Sequence, residues 1–353
     1  MTDLSIYFAY PGDLATLSGG YHYDRRLIDE LRKSGVKVNT LPLPFHSTLQ
    51  DEANQSAHNT IHQLLGELPE QSVVMIDGLA FGTMDELAIK HAQRLRLVAL
   101  CHHPLALETG IDASQRKALM ISEQRALACA CATVVTSAHT RQILIDQYGV
   151  SAGKILVALP GTDSTAFATC DGNPVRFLTI GSLTQRKAHD ILINSLAQLE
   201  ALPWQARFVG SSDFEPVWAR NLQTRVNSLG LSQRICFAGT VGNPQLEYQQ
   251  ADVFVLPSRF EGYGMVFAEA LAAGLPIIAA RAGAVPDVVP KTAGLLVSPD
   301  NTEALTKALR QILTNGSLRR RLQTGARQAA ATLPSWVDCA TLVANKLKEV
   351  ATS

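Results

Sequence analysis

From one end to the other, the chain alternates between short apolar runs of strand character and longer stretches with helical periodicity. No other feature restricts the fold as much. In the first half the runs are "SIYFAY", "VKVNTL", "SVVMI", "RLVALC", "TVVTS" and "KILVAL"; the second half has "VRFLTIG", "ARFVG", "RICFAG", "VFVLPS", "PIIAA" and "GLLVS". Between them lie amphipathic stretches such as "YDRRLIDELRKSG", where Leu27, Ile28 and Leu31 share a face and Gly35 ends the helix. Strands separated by helices pair in parallel and are covered on both faces. Runs that are apolar throughout, such as "VFVL", agree with that burial.

A length of 353 residues exceeds one ordinary core and predicts two domains. The break falls at residues 159–174, "LPGTDSTAFATCDGNP", which is rich in Gly, Thr, Asp and Pro and lacks periodicity. The expectation is an α/β protein with two doubly wound, Rossmann-like domains, residues 1–163 and 164–335. A final helix over 336–353 is expected to pack back on the first domain. Ligands of such sheets bind beyond the carboxyl ends of the strands. Glycine and polar residues collect there in both halves, and two such faces turned toward each other would make a cleft.

Composition narrows the function. Apolar residues make up 46% and charged residues 18%, as in a soluble enzyme. Lys plus Arg equals Asp plus Glu, 31 against 31, so no long-range pull toward nucleic acid or an anionic membrane is expected. The basic run "RRR" at 319–321 reads as a solvated helix face. The N-terminus, "MTDLSIYFAY", lacks the pattern of a signal peptide, and no window offers about 18 uninterrupted apolar residues for a membrane span. Six cysteines without CxxC spacing read as reduced thiols, with Cys129 and Cys131 two apart on one helix. A cytoplasmic location follows as the expectation.

Two stretches carry chemistry. In "SLTQRKAHDILINSL", Arg186 and Lys187 precede a helix whose apolar pattern begins near Ile191. A cation there opposes the helix dipole unless an anion comes between, and a phosphate would make the arrangement favourable. An exposed basic pair on a loop is the alternative. In "SRFEGYGMVFAEALAAGLP", Gly262 and Gly264 bracket Tyr263, and a helix starts near Met265 and Val266. The glycines let the backbone approach a ligand, and the helix start offers unpaired amides. Glu269, in the second turn, could accept both hydroxyls of a ribose; Glu261, on the loop, could meet sugar hydroxyls. The plainer reading is two acids stabilising a helix dipole.

"EGYGMVFAEALAAGLPIIA" resembles the Glu-x7-Glu signature of glycosyltransferase family 4, retaining enzymes of the GT-B fold. "IGSLTQRKAHD" is similar to its donor loop, "VALPGTD" to its interdomain segment, and "GGYH", with Gly19 and Gly20, to its N-terminal glycine loop. The resemblance runs through nearly the whole chain in the right order. It implies that Lys187 and the glycine-turn amides hold the diphosphate of a nucleotide sugar, UDP- or GDP-linked. It implies that Glu269 holds the ribose and Glu261 the donor sugar. It also implies a histidine after the fourth strand facing that sugar; of His102 and His103, His102 is favoured. The reaction implied is retaining hexosyl transfer to an acceptor hydroxyl, with no cofactor and no metal. A metal at the histidines would need a third ligand, and sequence spacing supplies none. One departure stands out. Many members carry Arg where this chain has Ser182, and Arg186 is expected to supply the guanidinium. A sugar-nucleotide epimerase, a non-catalytic sugar-nucleotide binder and an NAD-dependent dehydrogenase are the competing readings. The last lacks a GxGxxG after any strand.

Overall fold

The structure is a computed structural model that describes residues 4–44 and 52–353, with backbone only for 52–55. The first three residues, part of the N-terminal reading above, lie outside it. The chain divides into two compact units: residues 1–161 together with 334–353, and residues 162–333.

The first unit runs β1 (Ser5–Pro11), α1 (Gly19–Lys33), β2 (Lys37–Leu43), α2 (Glu52–Gly66), β3 (Val73–Asp77), α3 (Gly78–Phe81), α4 (Asp85–His91), β4 (Arg96–Cys101), α5 (Ala113–Cys129), β5 (Ala132–Val135), α6 (Ala138–Tyr148) and β6 (Ile155–Val157). Its sheet has the order β2-β1-β3-β4-β5-β6, parallel throughout. Ile6, Phe8, Val74, Met75, Leu97, Val98 and Val134 are fully buried or nearly so, as strands covered on both faces require. Helix α1 begins at an N-cap, Ser18, whose hydroxyl accepts from the Tyr21 amide. Gly19 and Gly20 are therefore its first two residues and not a free loop. Cys129 closes α5 and Cys131 lies beyond it, so the two do not share a helix; all six cysteines are unbridged.

The second unit runs β7 (Val175–Ile180), α7 (His189–Ala197), β8 (Trp204–Val209), α8 (Pro216–Ser228), β9 (Ile235–Gly239), α9 (Pro244–Gln250), β10 (Val253–Leu256), α10 (Met265–Ala272), β11 (Ile277–Ala280), α11 (Val285–Val288), β12 (Gly294–Val297), α12 (Thr302–Thr314) and α13 (Gly316–Ala330). Its order is β12-β11-β10-β7-β8-β9, again parallel. Phe177, Trp204, Phe208 and Leu309 fill one face; Phe254, Phe267 and Leu271 fill the other. "RRR" lies on α13, with Arg320 and Arg321 exposed. The last helix, α14 (Trp336–Thr352), belongs to the first unit: Cys339 there meets the Tyr23 hydroxyl of α1 at 3.2 Å. No helix among the described residues is long and apolar enough to cross a membrane.

The strand order reverses between β1 and β3 in the first sheet, and between β7 and β10 in the second. Crevices beyond the strand ends open at such switch points. Both clusters described next sit there.

Candidate active site

In the second unit, β7 ends at Ile180 and the chain turns through a short 3-10 helix, Gln185–Lys187. Ala188 then takes a left-handed conformation, φ +54°, before α7 begins. An L-residue pays for that conformation, so the turn is held from outside. Arg259, just past β10, does the holding. Its amide donates to the Arg186 carbonyl at 2.8 Å, its guanidinium bonds the Gln185 carbonyl, and it pairs with Asp190 at 3.0 Å and Asp300 at 2.7 Å. The stem of Lys187 lies along Gly181, where a Cβ would sit 3.4 Å from its Cδ and Cε.

Both cations converge on Glu261. Lys187 Nζ lies 2.6 Å from Glu261 Oε1, and Arg186 Nη1 lies 3.3 Å from Oε2. Arg186 also donates to the Phe260 carbonyl at 3.1 Å. Glu261 is 5% exposed. Burial would raise its pKa, but the charges of Lys187 and Arg186 outweigh burial and hold it below the ordinary value. The loop expected to offer a carboxylate to a ligand thus has that carboxylate bound to the two cations. The backbone of Glu261 is fixed as well: the Ala284 amide donates to its carbonyl at 2.9 Å. Gly283, at φ +57°, lies so close that a Cβ there would stand 2.1 Å from the same oxygen.

The chain then turns at Gly264, φ +88°, the N-cap of α10, and no side chain caps this helix. Gly262, Tyr263, Gly264, Met265 and Val266 line its start. Glu269, one turn further, is fixed by Tyr248, whose hydroxyl donates to Oε2 at 2.7 Å. Burial raises the Glu269 pKa and the Tyr248 bond lowers it, leaving a net rise. Tyr248 comes from α9, and no spacing rule connects it to Glu269.

In the first unit, His102 follows β4. Its Nε2 lies 3.1 Å from Asp24 Oδ1 and 3.3 Å from Asp77 Oδ2. Asp24 is 0% and Asp77 1% exposed. Asp24 comes from the buried face of α1, and Asp77 caps α3 by accepting from the Leu79 amide at 2.8 Å. Gly20 makes room for the ring: a Cβ there would lie 3.3 Å from His102 Cδ2. His103 turns elsewhere and pairs with Glu108 at 3.1 Å. Sequence spacing offered no further metal ligand, yet the fold supplies two carboxylates. Asp24, Asp77 and His102 have ligand atoms within 4.8 Å of one another, the one such group of three among the described residues. Asp24 Oδ2 has no hydrogen-bond partner. Both acids were readable in principle: Asp24 falls on the Leu27–Leu31 face of an amphipathic helix, and Asp77 ends an otherwise apolar strand.

Two parallel, doubly wound sheets with charge clusters at their switch points define a GT-B glycosyltransferase fold. Residues 166–329, nearly all of the second unit, match the family "Glycosyl transferases group 1". It is 30% identical over 241 residues to a D-inositol 3-phosphate glycosyltransferase of Xylanimonas cellulosilytica, covering 62% of this chain and 57% of that protein. It is 29% identical to a mannosylfructose-phosphate synthase of Agrobacterium fabrum, covering 59% and 50%. The matches thus span less than two thirds of these curated relatives. Among solved structures, a sucrose-phosphate synthase of Thermosynechococcus elongatus superposes with a TM-score of 0.81 at 21% identity, covering 99% of this chain and 100% of that one. Anabaena HepE, crystallised with UDP-glucose, gives a TM-score of 0.77 at 19% identity, covering 98% and 100%.

Proposed function

We propose that the protein is a retaining hexosyltransferase that moves a sugar from a nucleotide diphosphate to an acceptor hydroxyl. The observation that carries this is the convergence of Arg186 and Lys187 on one carboxylate beside the uncapped start of α10. The cluster sets two cations on one carboxylate, and a diphosphate can replace that carboxylate as their partner. Donor binding then exchanges partners. The diphosphate takes Lys187, Arg186 and the helix amides, and Glu261 is released toward the donor sugar. As the glycosidic bond breaks, negative charge grows on the leaving phosphate, and preorganised cations and amides stabilise it more than they stabilise the bound donor. Glu269, aimed by Tyr248, takes the ribose hydroxyls. The first unit takes the acceptor. HepE supports the choice of a uridine nucleotide for first trials, since it was crystallised with UDP-glucose.

The test is a thermal-shift panel of UDP-, GDP- and ADP-hexoses followed by transfer assays on the donor that binds. A donor at about 100 times its dissociation constant should add about 2.7 kcal/mol of stability. The product should keep the anomeric configuration of the donor. Stabilisation by no nucleotide sugar, or an inverted product, would overturn the reading. Conversion of the donor without an acceptor would favour an epimerase instead.

A further inference from the structure

We propose that Asp24 and Asp77 are positioning residues that hold His102 permanently as an imidazolium, with Nε2–H bound inward and Nδ1–H presented as a fixed donor. His102 then serves as a hydrogen-bond donor and local positive charge for a substrate oxygen, not as a general base. The part of this concerning substrate rests on the glycosyl-transfer reading; the charge state does not.

The geometry leads there in three steps. First, Nε2 faces two carboxylates at 3.1 and 3.3 Å, both essentially without solvent. A ring nitrogen between two carboxylates is stable as a donor and repelled as a lone pair, so Nε2 carries hydrogen. Second, among the described residues neither acid pairs with a Lys or Arg. Asp77 accepts from the Leu79 amide and faces the imidazole, and burial and the neighbouring Asp77 push the Asp24 carboxyl up to about 7, so the imidazolium is the one positive charge that the two acids share. The neighbours that could titrate are Tyr21 and Tyr23 of α1, Cys101 of β4, Cys339 of α14 and Asp13 of the loop before α1. All of these add negative charge or none. A neutral His102 would leave up to two negative charges in a buried site, and the proton on Nδ1 removes one of them. The expected shift has the same direction. Burial alone would discharge the ring, but the Asp24 and Asp77 contacts outweigh it and raise the His102 pKa well above its ordinary value. Third, the ring is immobilised. Gly20 and the edge of Tyr23, ring centroids 5.2 Å apart, pack against it. The His102 carbonyl accepts from Thr136 at 3.2 Å, which fixes the backbone. The hydrogen-bond contacts of the ring among the described residues are all made by Nε2, and the side chain is 17% exposed, so the inward nitrogen is committed and the outer one is not.

An imidazolium cannot accept a proton from an acceptor hydroxyl. The device therefore denies the enzyme a histidine base on this side, in keeping with retention and not with opposite-face attack.

The experiment is 15N histidine NMR on the full chain, with His102 assigned by its disappearance in His102→Gln. Wild-type His102 should show both nitrogens protonated throughout about pH 6 to 9, a range across which an ordinary histidine, with its midpoint near 6.5, loses its proton. Asp24→Asn and Asp77→Asn, each checked by thermal melting, should each lower its midpoint by at least one pH unit. Transfer by either variant should gain a new alkaline loss, because the charged form falls away as pH rises through the lowered midpoint. A wild-type midpoint near 6.5, a neutral ring at pH 7.5, or a stoichiometric divalent ion in the purified protein would each overturn the proposal. So would lowered midpoints with an unchanged pH profile of transfer. If no donor supports transfer, the NMR arm still decides the charge state, and only the functional reading falls.

Discussion

The two units answer one structural problem with opposite charge. Each parallel sheet ends at its switch point in a buried cluster of three ionisable groups. In the second unit two cations, Arg186 and Lys187, enclose one acid, Glu261. In the first, two acids, Asp24 and Asp77, enclose one base, His102. Two cations that share one carboxylate can exchange it for an anionic ligand. A cluster with surplus acid does the reverse: it keeps its own base charged and gains nothing from a phosphate. The fold thus provides two similar crevices whose floors differ in charge, and on the proposed function the one with Arg186 and Lys187 takes the diphosphate.

The contrast is most severely tested at Lys187. Removing one of two cations aimed at a developing charge should lower kcat/KM by about a hundredfold, the size of one lost transition-state contact. Arg186→Ala should cost less but more than an exposed arginine would. A wild-type Arg186→Ala would mean that Lys187 alone faces the diphosphate and that Ser182 marks a weaker clamp.

Removing acids should act with opposite sign in the two units. Glu261→Gln removes the carboxylate that Lys187 and Arg186, 13% and 20% exposed, share. The folded protein should lose about 2 kcal/mol, less than the roughly 3–5 kcal/mol of breaking a fully buried pair, because the cations keep some solvent. Asp24→Asn, in contrast, removes one of two acids that crowd each other and keeps an oxygen for the His102 Nε2–H. Its melting temperature at pH 8 should equal or exceed that of the wild type. Parallel losses in both variants would mean that the charge surplus is immaterial and only the hydrogen bonds count.

Nucleotide binding sharpens the comparison further. On the proposed function Glu269 serves a part of the donor that is bound before, during and after transfer, so Glu269→Ala should raise the donor KM about tenfold and weaken free nucleoside diphosphate equally. Tyr248→Phe should produce a fraction of that loss, growing as pH falls, because the missing bond lets the buried Glu269 carboxyl take up a proton more readily. Glu261→Ala should instead act mainly on kcat. Equal nucleotide loss in the Glu261 and Glu269 variants would mean that both acids serve the ribose or only hold the loop.

These positions also separate what was legible in the sequence from what was not. The strands were, because a buried parallel strand has to be apolar on both faces, and "VFVL" or "VVMI" fits nothing else so well. Glu261, Glu269, Arg186 and Lys187 stood out because glycine turns and helix starts have local grammar. That Glu261 is bound to both cations did not stand out, since residues 74 and 75 positions apart meet only through the order of β7 and β10. Tyr248 and Asp24 were missed for a different reason. Each is polar yet lies on a buried helix face, where an apolar pattern masks one exception. Asp24 on the Leu27–Leu31 face was such an exception, and a buried acid without a local partner points to a distant base.

The smallest effect concerns a buried histidine that neither cluster uses. His189 opens α7 with 0% exposure, and neither ring nitrogen has a hydrogen-bond partner. Burial, and then the charge of Lys187, depress its pKa from 6.5 to about 3. The folded chain therefore keeps it neutral while the unfolded chain takes up a proton below pH 6.5. Stability should fall as pH drops through that window, by about 1 kcal/mol between pH 7 and 5.5. His91 in the first unit is depressed to about 4 by burial and His62, with the same sign. The two differ in partners: His91 Nε2 meets His62 Nδ1 at 2.8 Å, while His189 only packs edge-on against Phe208 at 5.4 Å between centroids. Replacing His189 with leucine thus forfeits no hydrogen bond and removes the proton. Hydrogen exchange of strands β7–β12 at pH 7 and 5.5, corrected for intrinsic rates, should show the wild-type second unit losing about 1 kcal/mol more than His189→Leu. Strands β1–β6 should respond identically in both proteins. A variant as acid-sensitive as the wild type would mean that water reaches the ring and that His189 titrates normally, so that the orphaned nitrogens of the second unit are solvated after all.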